Sequence, residues 1–189
     1  MGKVQDAVSD ALVAEISSRE GWDEPPGLYF LYLEDGKCYA RRQALPGAVW
    51  RSGPPAAVLS AMAGCLGEVS GTLHQIAPEA LHGVAFYTEA WTVMQPEAGT
   101  AQRSEVMADA MAHRVHTRPD RVEARTMWAV DRAGIVYGAL QRRDVDKAPM
   151  VTVTYPKPGM PYAGDIPEAL GRMVAAMIPE TLPDRGRTL

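Results

Sequence analysis

Arg121-Val122-Glu123-Ala124-Arg125-Thr126-Met127-Trp128-Ala129-Val130-Asp131-Arg132-Ala133-Gly134-Ile135-Val136-Tyr137-Gly138-Ala139-Leu140-Gln141 is the stretch whose reading decides the fold. Its first half alternates as an extended chain does: Val122, Ala124, Thr126, Trp128 and Val130 share one side, and Arg121, Glu123, Arg125 and Met127 share the other. Asp131-Arg132-Ala133-Gly134 suits a short hairpin loop, with Gly134 taking the left-handed conformation that other residues avoid. Residues 135–141 then return. The pattern predicts that Val122, Ala124, Trp128 and Val130 face a core. It predicts an exposed charged row of Arg121, Glu123 and Arg125.

A second hairpin lies upstream. Residues 28–34 form a compact apolar and aromatic run, Asp35-Gly36 supplies the two positive-φ positions of a tight turn, and residues 37–43 return. Between the hairpins, residues 83–95 read as a long strand interrupted by Glu89, which shares a side with Tyr87 and Trp91. Three helices are expected around these strands. The first, 4–19, carries Val8, Ala11, Leu12 and Ile16 at helical spacing and stops at Gly21 and Pro25-Pro26. The second runs from Pro54-Pro55 to about residue 75, with Ser52 as its cap. Val58, Met62, Cys65, Val69, Leu73 and Ile76 form its apolar stripe, and Ala57, Ala61, Gly64 and Gly71 a stripe of small residues. Gly64, Gly67 and Gly71 each cost about 1 kcal/mol of helix propensity relative to alanine, which points to a close backbone approach. The third, 165–178, carries Ile166, Leu170, Met173, Val174 and Met177. A shorter helix at 104–112, capped by Ser104, and an extended piece at 150–155 complete the reading.

The resulting order α-β-β-α-β-β-β-α indicates an α+β domain with a five-stranded antiparallel sheet and helices packed on its faces. One domain is expected over 1–178, followed by a flexible tail at 179–189. This element order is similar to that of the roadblock, longin and profilin-like folds, which implies a strand order of 2-1-5-4-3. Four segments carry a closer likeness: Gly21-Trp22-Asp23-Glu24-Pro25-Pro26, Thr88-Glu89-Ala90-Trp91, the run from His116 to Arg125, and Ala129-Val130-Asp131-Arg132-Ala133-Gly134. They resemble uncharacterised small proteins of actinobacteria and their phages, over most of 21–143. That resemblance brings no activity. It implies an accessory, phage- or plasmid-borne role rather than a housekeeping one.

Composition narrows the function classes. The 189 residues are 47% hydrophobic and 22% charged, with a net charge of −4. The acidic balance argues against a general nucleic-acid binder. No apolar run approaches the ~20 residues needed to span a bilayer, and the first residues lack the apolar core of a signal peptide, so a cytoplasmic protein is expected. Cys38 and Cys65 are too few for a disulfide framework.

The candidates for chemistry concentrate around the second hairpin. His113 and His116, followed by Asp120, are weak candidates for metal ligands. They stand where a helix should end and lack a convincing fourth partner, so no metal is expected. No serine sits in a Gly-x-Ser-x-Gly elbow and no glycine-rich phosphate loop links a strand to a helix, so no cofactor and no catalytic residue is expected. Glu89 and Glu123 could share a sheet face, with Arg121 and Arg125 flanking Glu123. Arg114, Arg118, Arg121, Arg125, Arg142 and Arg143 could converge to hold a phosphate or carboxylate. Two function classes follow. The first is a non-enzymatic interaction or accessory protein that self-associates through Ala57, Ala61 and Gly64 or a sheet edge, its partner a second copy or another protein. The alternative is a small anion- or nucleotide-binding protein or enzyme using Glu89, Arg121, Glu123 and Arg125.

Overall fold

A computed structural model describes residues 2–69, 80–93, 99–112, 114–145, 147–156, 162 and 164–178. The sheet is antiparallel throughout, with strands β1 (Gly27–Glu34), β2 (Lys37–Arg42), β3 (Leu81–Thr92), β4 (Val122–Asp131), β5 (Val136–Arg142) and β6 (Met150–Thr154) in the order β2-β1-β3-β4-β5-β6. The helices are α1 (Lys3–Ser17), the short α2 (Gly47–Trp50), α3 (Pro55–Glu68), α4 (Ala101–Met111) and α5 (Asp165–Met177).

The α+β class holds, but the strand count does not: the extended piece at 150–155 is a sixth strand, paired antiparallel with β5. The 2-1-5-4-3 order fails as well, because β1 takes β3 rather than the last strand as its second neighbour. Both hairpin turns form as their residues dictate. Asp35 and Gly36 have φ of 49° and 74°, and Gly134 has φ of 75°.

Both sheet faces are covered, which corrects part of the expected exposed row: Arg125 is buried and Glu123 half-buried, while Arg121 is exposed as expected. On one face α3 and α5 pack over Leu28, Val84, Phe86 and Val130, and Trp50 of α2 stacks tilted on Phe86 at 5.3 Å. On the other face α1 buries Val8, Leu12 and Ile16 against Tyr29, Leu31, Tyr87, Met127 and Tyr137. The α1 backbone lies against β2 at one margin of the sheet and against β4, β5 and β6 towards the other. Full burial of a side chain such as Leu12 contributes about 1.5–3 kcal/mol. The amphipathic α1 therefore claims whichever sheet face the larger helix pair leaves open. The continuous apolar runs of β1 and of Val84-Ala85-Phe86-Tyr87 suit burial on two sides.

Smaller expectations also change. Ser52 does not cap α3. Its hydroxyl donates to the carbonyl of Val49, and Pro55 opens the helix behind Pro54. Thr100 rather than Ser104 caps α4, its hydroxyl accepting from the N–H of Arg103. The buried residues of α3 are Val58, Leu59 and Ala63, while Cys65 and Val69 are exposed. Among the described residues no backbone approaches Gly64 or Gly67, where an added Cβ would meet open space. Gly71, Leu73 and Ile76 lie outside the described residues, as does the tail at 179–189. Among the described residues no helix is long and apolar enough to cross a membrane.

Candidate functional site

The α1 face of the sheet holds a polar cluster where the loop after α1 crosses β3 and β4. Register sets its base: Glu89 of β3 lies opposite Arg125 of β4, and Trp91 lies opposite Glu123. Since residues two apart on a strand share a face, Tyr87, Glu89 and Trp91 line up beside Met127, Arg125 and Glu123. The expectation that Glu89 and Glu123 share a face is met.

Arg125 is the centre. Its side chain is 5% exposed and its partner Glu89 8%, with Arg125 Nε 3.5 Å from Glu89 Oε1. The terminal guanidinium nitrogens donate to the backbone carbonyls of Arg19, at 3.0 Å, and Gly21. The same guanidinium lies 4.4 Å from the centre of the Trp22 ring, and Arg143 approaches that indole at 5.2 Å. Glu89 is satisfied at both oxygens: the Tyr87 hydroxyl donates to one at 2.8 Å and the N–H of Asp23 to the other at 2.6 Å. Asp23 has φ of 68°, a conformation aspartate tolerates better than most residues, and its N–H reaches Glu89 from there. A buried charge is retained only when paired and hydrogen-bonded, and each of these two is.

A second arginine braces the same loop. Arg19 bridges Glu15, at 2.6 Å, and Glu24, donates to the Tyr29 hydroxyl, and sits 4.2 Å from the centre of the Tyr87 ring. Burial works against its charge, but Glu24 and Glu15 outweigh it and hold its pKa above the ordinary arginine value. Burial, with help from Glu15, pushes the Tyr29 phenol up to about 12. Burial and the hydrogen bond to Glu89 likewise raise the Tyr87 phenol.

The other arginines do not converge on an anion cradle, as the sequence reading allowed. Arg114 and Arg118 both bind Asp109 of α4, and Arg118 also forks onto Asp120. Arg142 pairs with Asp144, and Arg143 with Glu123 at 2.5 Å. Arg121 is exposed, donates to the carbonyl of Arg118 and lies 4.8 Å from the centre of the Trp91 ring. Alternating acidic and basic residues in a loop satisfy one another locally before they can satisfy a ligand. His116 is exposed in a 3-10 turn, Val115–Thr117, and His113 lies outside the described residues.

Three carboxylates, Asp23, Glu89 and Glu123, each place an oxygen within 4.8 Å of the others and are the residues that could hold a cation. Arg125 and Arg143 already supply positive charge there. The sequence does not single out Trp22, Asp23 or Arg19 for this site, whereas Arg143 is among the arginines it brings to the hairpin. The available signal was a tryptophan set in a short polar loop between Gly21 and Pro25-Pro26, where solvent alone would not favour it.

The same sheet face carries a second polar knot at its other end. Asp131 is 1% exposed. One of its oxygens accepts the N–H groups of Ala133 and Ile135, each at 2.9 Å, and the other accepts the Tyr137 hydroxyl at 2.8 Å. His82 Nε2 stands 3.7 Å away, with no hydrogen-bond partner among the described residues. Burial pushes the Asp131 carboxyl up, but His82, Tyr137 and the two N–H groups together hold it below its ordinary value.

The surface residues Ala57, Ala61 and Gly64 of α3 are exposed. Beside them runs an apolar groove lined by Phe30, Leu45, Val49, Met62, Cys65 and Leu66.

Three of the four segments that carry the resemblance meet at the Arg125 cluster, and the fourth forms the Asp131 knot. No curated protein and no solved structure matches the chain. A family model matches residues 5–157, and the chain belongs to the PPA1309-like protein family.

Proposed function

We propose that this protein works by binding rather than by catalysis, as an accessory interaction protein that associates with a second copy of itself. Uncharged surface that has no partner among the described residues carries this reading. The small-residue face of α3 and its adjoining groove stand open, and so does the uncharged edge strand β6, which pairs only with β5 among the described residues. Exposed apolar surface rimmed by polar residues is the usual mark of an association site. The experiment is light scattering on the full chain over a range of concentrations. A dimer is expected, and a mass that stays monomeric at high concentration overturns the reading.

A second reading, ligand binding at the Glu89–Arg125 cluster, is supported by the burial of that ion pair beside Trp22 and two further carboxylates. The commitment of Arg125 to backbone carbonyls counts against an anion there. Thermal shift with nucleotides, phosphate and divalent cations tests it, since a ligand that prefers the native state raises its stability. No shift from any of them overturns it.

A further inference from the structure

The two edges of the sheet are built differently. The strand β2 exposes Lys37, Arg41 and Arg42, and charges of this kind discourage another strand from docking. The strand β6 reads Met150-Val151-Thr152-Val153-Thr154, with no charge and strong β-propensity. Met150, Thr152 and Thr154 are exposed on the face shared with α3 and α5, while Val151 and Val153 pack at the rim of the α1 core. Its sequence is nearly the same in both directions about Thr152. An antiparallel pair of two such strands would set Thr152 against Thr152, Val151 against Val153 and Met150 against Thr154. A two-fold contact requires that self-complementarity, because every residue must accept its own symmetry mate's neighbour.

We propose that β6 is the contact of a homodimer, in which β6 of one copy pairs antiparallel with β6 of a second about Thr152, joining two six-stranded sheets into one. The pairing satisfies edge N–H and C=O groups that have no partner strand among the described residues, and it sets Val151 and Val153 beside the partner's valines as one apolar rim. Tyr155 and Met150, both exposed, flank the junction. Five paired residues make a small interface, so the expected affinity is on the order of micromolar rather than nanomolar.

This inference rests on the self-association reading and names its contact. Thr152→Lys sets two like charges directly opposite at the two-fold axis while changing a side chain that is exposed in the monomer. The full-chain wild type should be dimeric by light scattering at concentrations well above the Kd. Thr152→Lys should be monomeric there, with an unchanged circular dichroism spectrum. A Thr152→Cys variant in a Cys65→Ser background should give a covalent dimer on mild oxidation, which needs no interpretation of a folding defect. Absence of that cross-link overturns the β6 contact. A dimer that survives Thr152→Lys and dissociates with Gly64→Leu overturns it too, and leaves self-association standing through α3. A wild type that is monomeric throughout overturns both.

Discussion

Two buried carboxylates on the same sheet face, Asp131 and Glu89, are held in opposite ways. Asp131 takes its hydrogen bonds from Ala133, Ile135 and Tyr137, all within six residues along the chain. It is a lock internal to one hairpin. Glu89 takes one bond from its neighbour Tyr87 and the other from Asp23, 66 residues away, and faces Arg125, whose own donors reach back 104 and 106 residues to Gly21 and Arg19. It ties the loop after α1 to the middle of the sheet. A local lock specifies a turn. A long-range tie specifies where a helix ends and how the chain leaves it.

Substitution should separate the two. Asp131→Ala leaves the Ile135 N–H and the Tyr137 hydroxyl buried without acceptors, each costing about 1–3 kcal/mol, and frees the Ala133 N–H towards solvent, for a total on the order of 4 kcal/mol. Urea denaturation measures it, and a cost below that of Arg125→Ala would break the comparison. Arg125→Ala removes one partner of a buried ion pair, a loss of about 3 kcal/mol, moderated because Glu89 lies nearer to solvent and keeps two hydrogen bonds. Its distinguishing effect is local: Trp22 loses its stacked guanidinium, so its fluorescence should change and limited proteolysis should cut within 18–26. Unchanged emission and no new cleavage would mean that the loop is held by Arg19 instead.

The smallest effect is in the acid limb. The Asp131 carboxyl is held below its ordinary value, so its ionised form contributes stability that is fully present above the unfolded value of about 3.9. That contribution is lost as pH falls through the lower, folded value. Asp109, Asp120 and Asp144 are shifted the same way by their arginines, so the wild type destabilises in acid for several reasons. The difference between wild type and Asp131→Asn isolates this one. The stability gap between them should narrow as pH falls below about 4, and parallel curves would remove Asp131 from the account.

The Asp131 lock was half legible in sequence. Asp131-Arg132-Ala133-Gly134 announces a turn through local chemistry, but the role of the aspartate depends on Tyr137 folding back beside it. The Glu89–Arg125 tie was legible only as two charges on compatible faces. Its burial was misread because alternating charges on a strand ordinarily mark a solvated side. The strand β6 was seen as extended but not counted, since five residues after a turn carry too little pattern without the neighbour that pairs them.

Amphipathic spacing and turn residues alone determined the helices at both ends of the chain, the two hairpins and their left-handed positions, because these depend on contacts a few residues long. The tertiary structure alone decided that α1 covers the second face, that β1 takes β3 as its neighbour, and that a loop tryptophan stacks on a buried arginine. Those outcomes are set by which apolar surface remains to be covered once the larger layers have packed, a competition among distant segments that no local window contains.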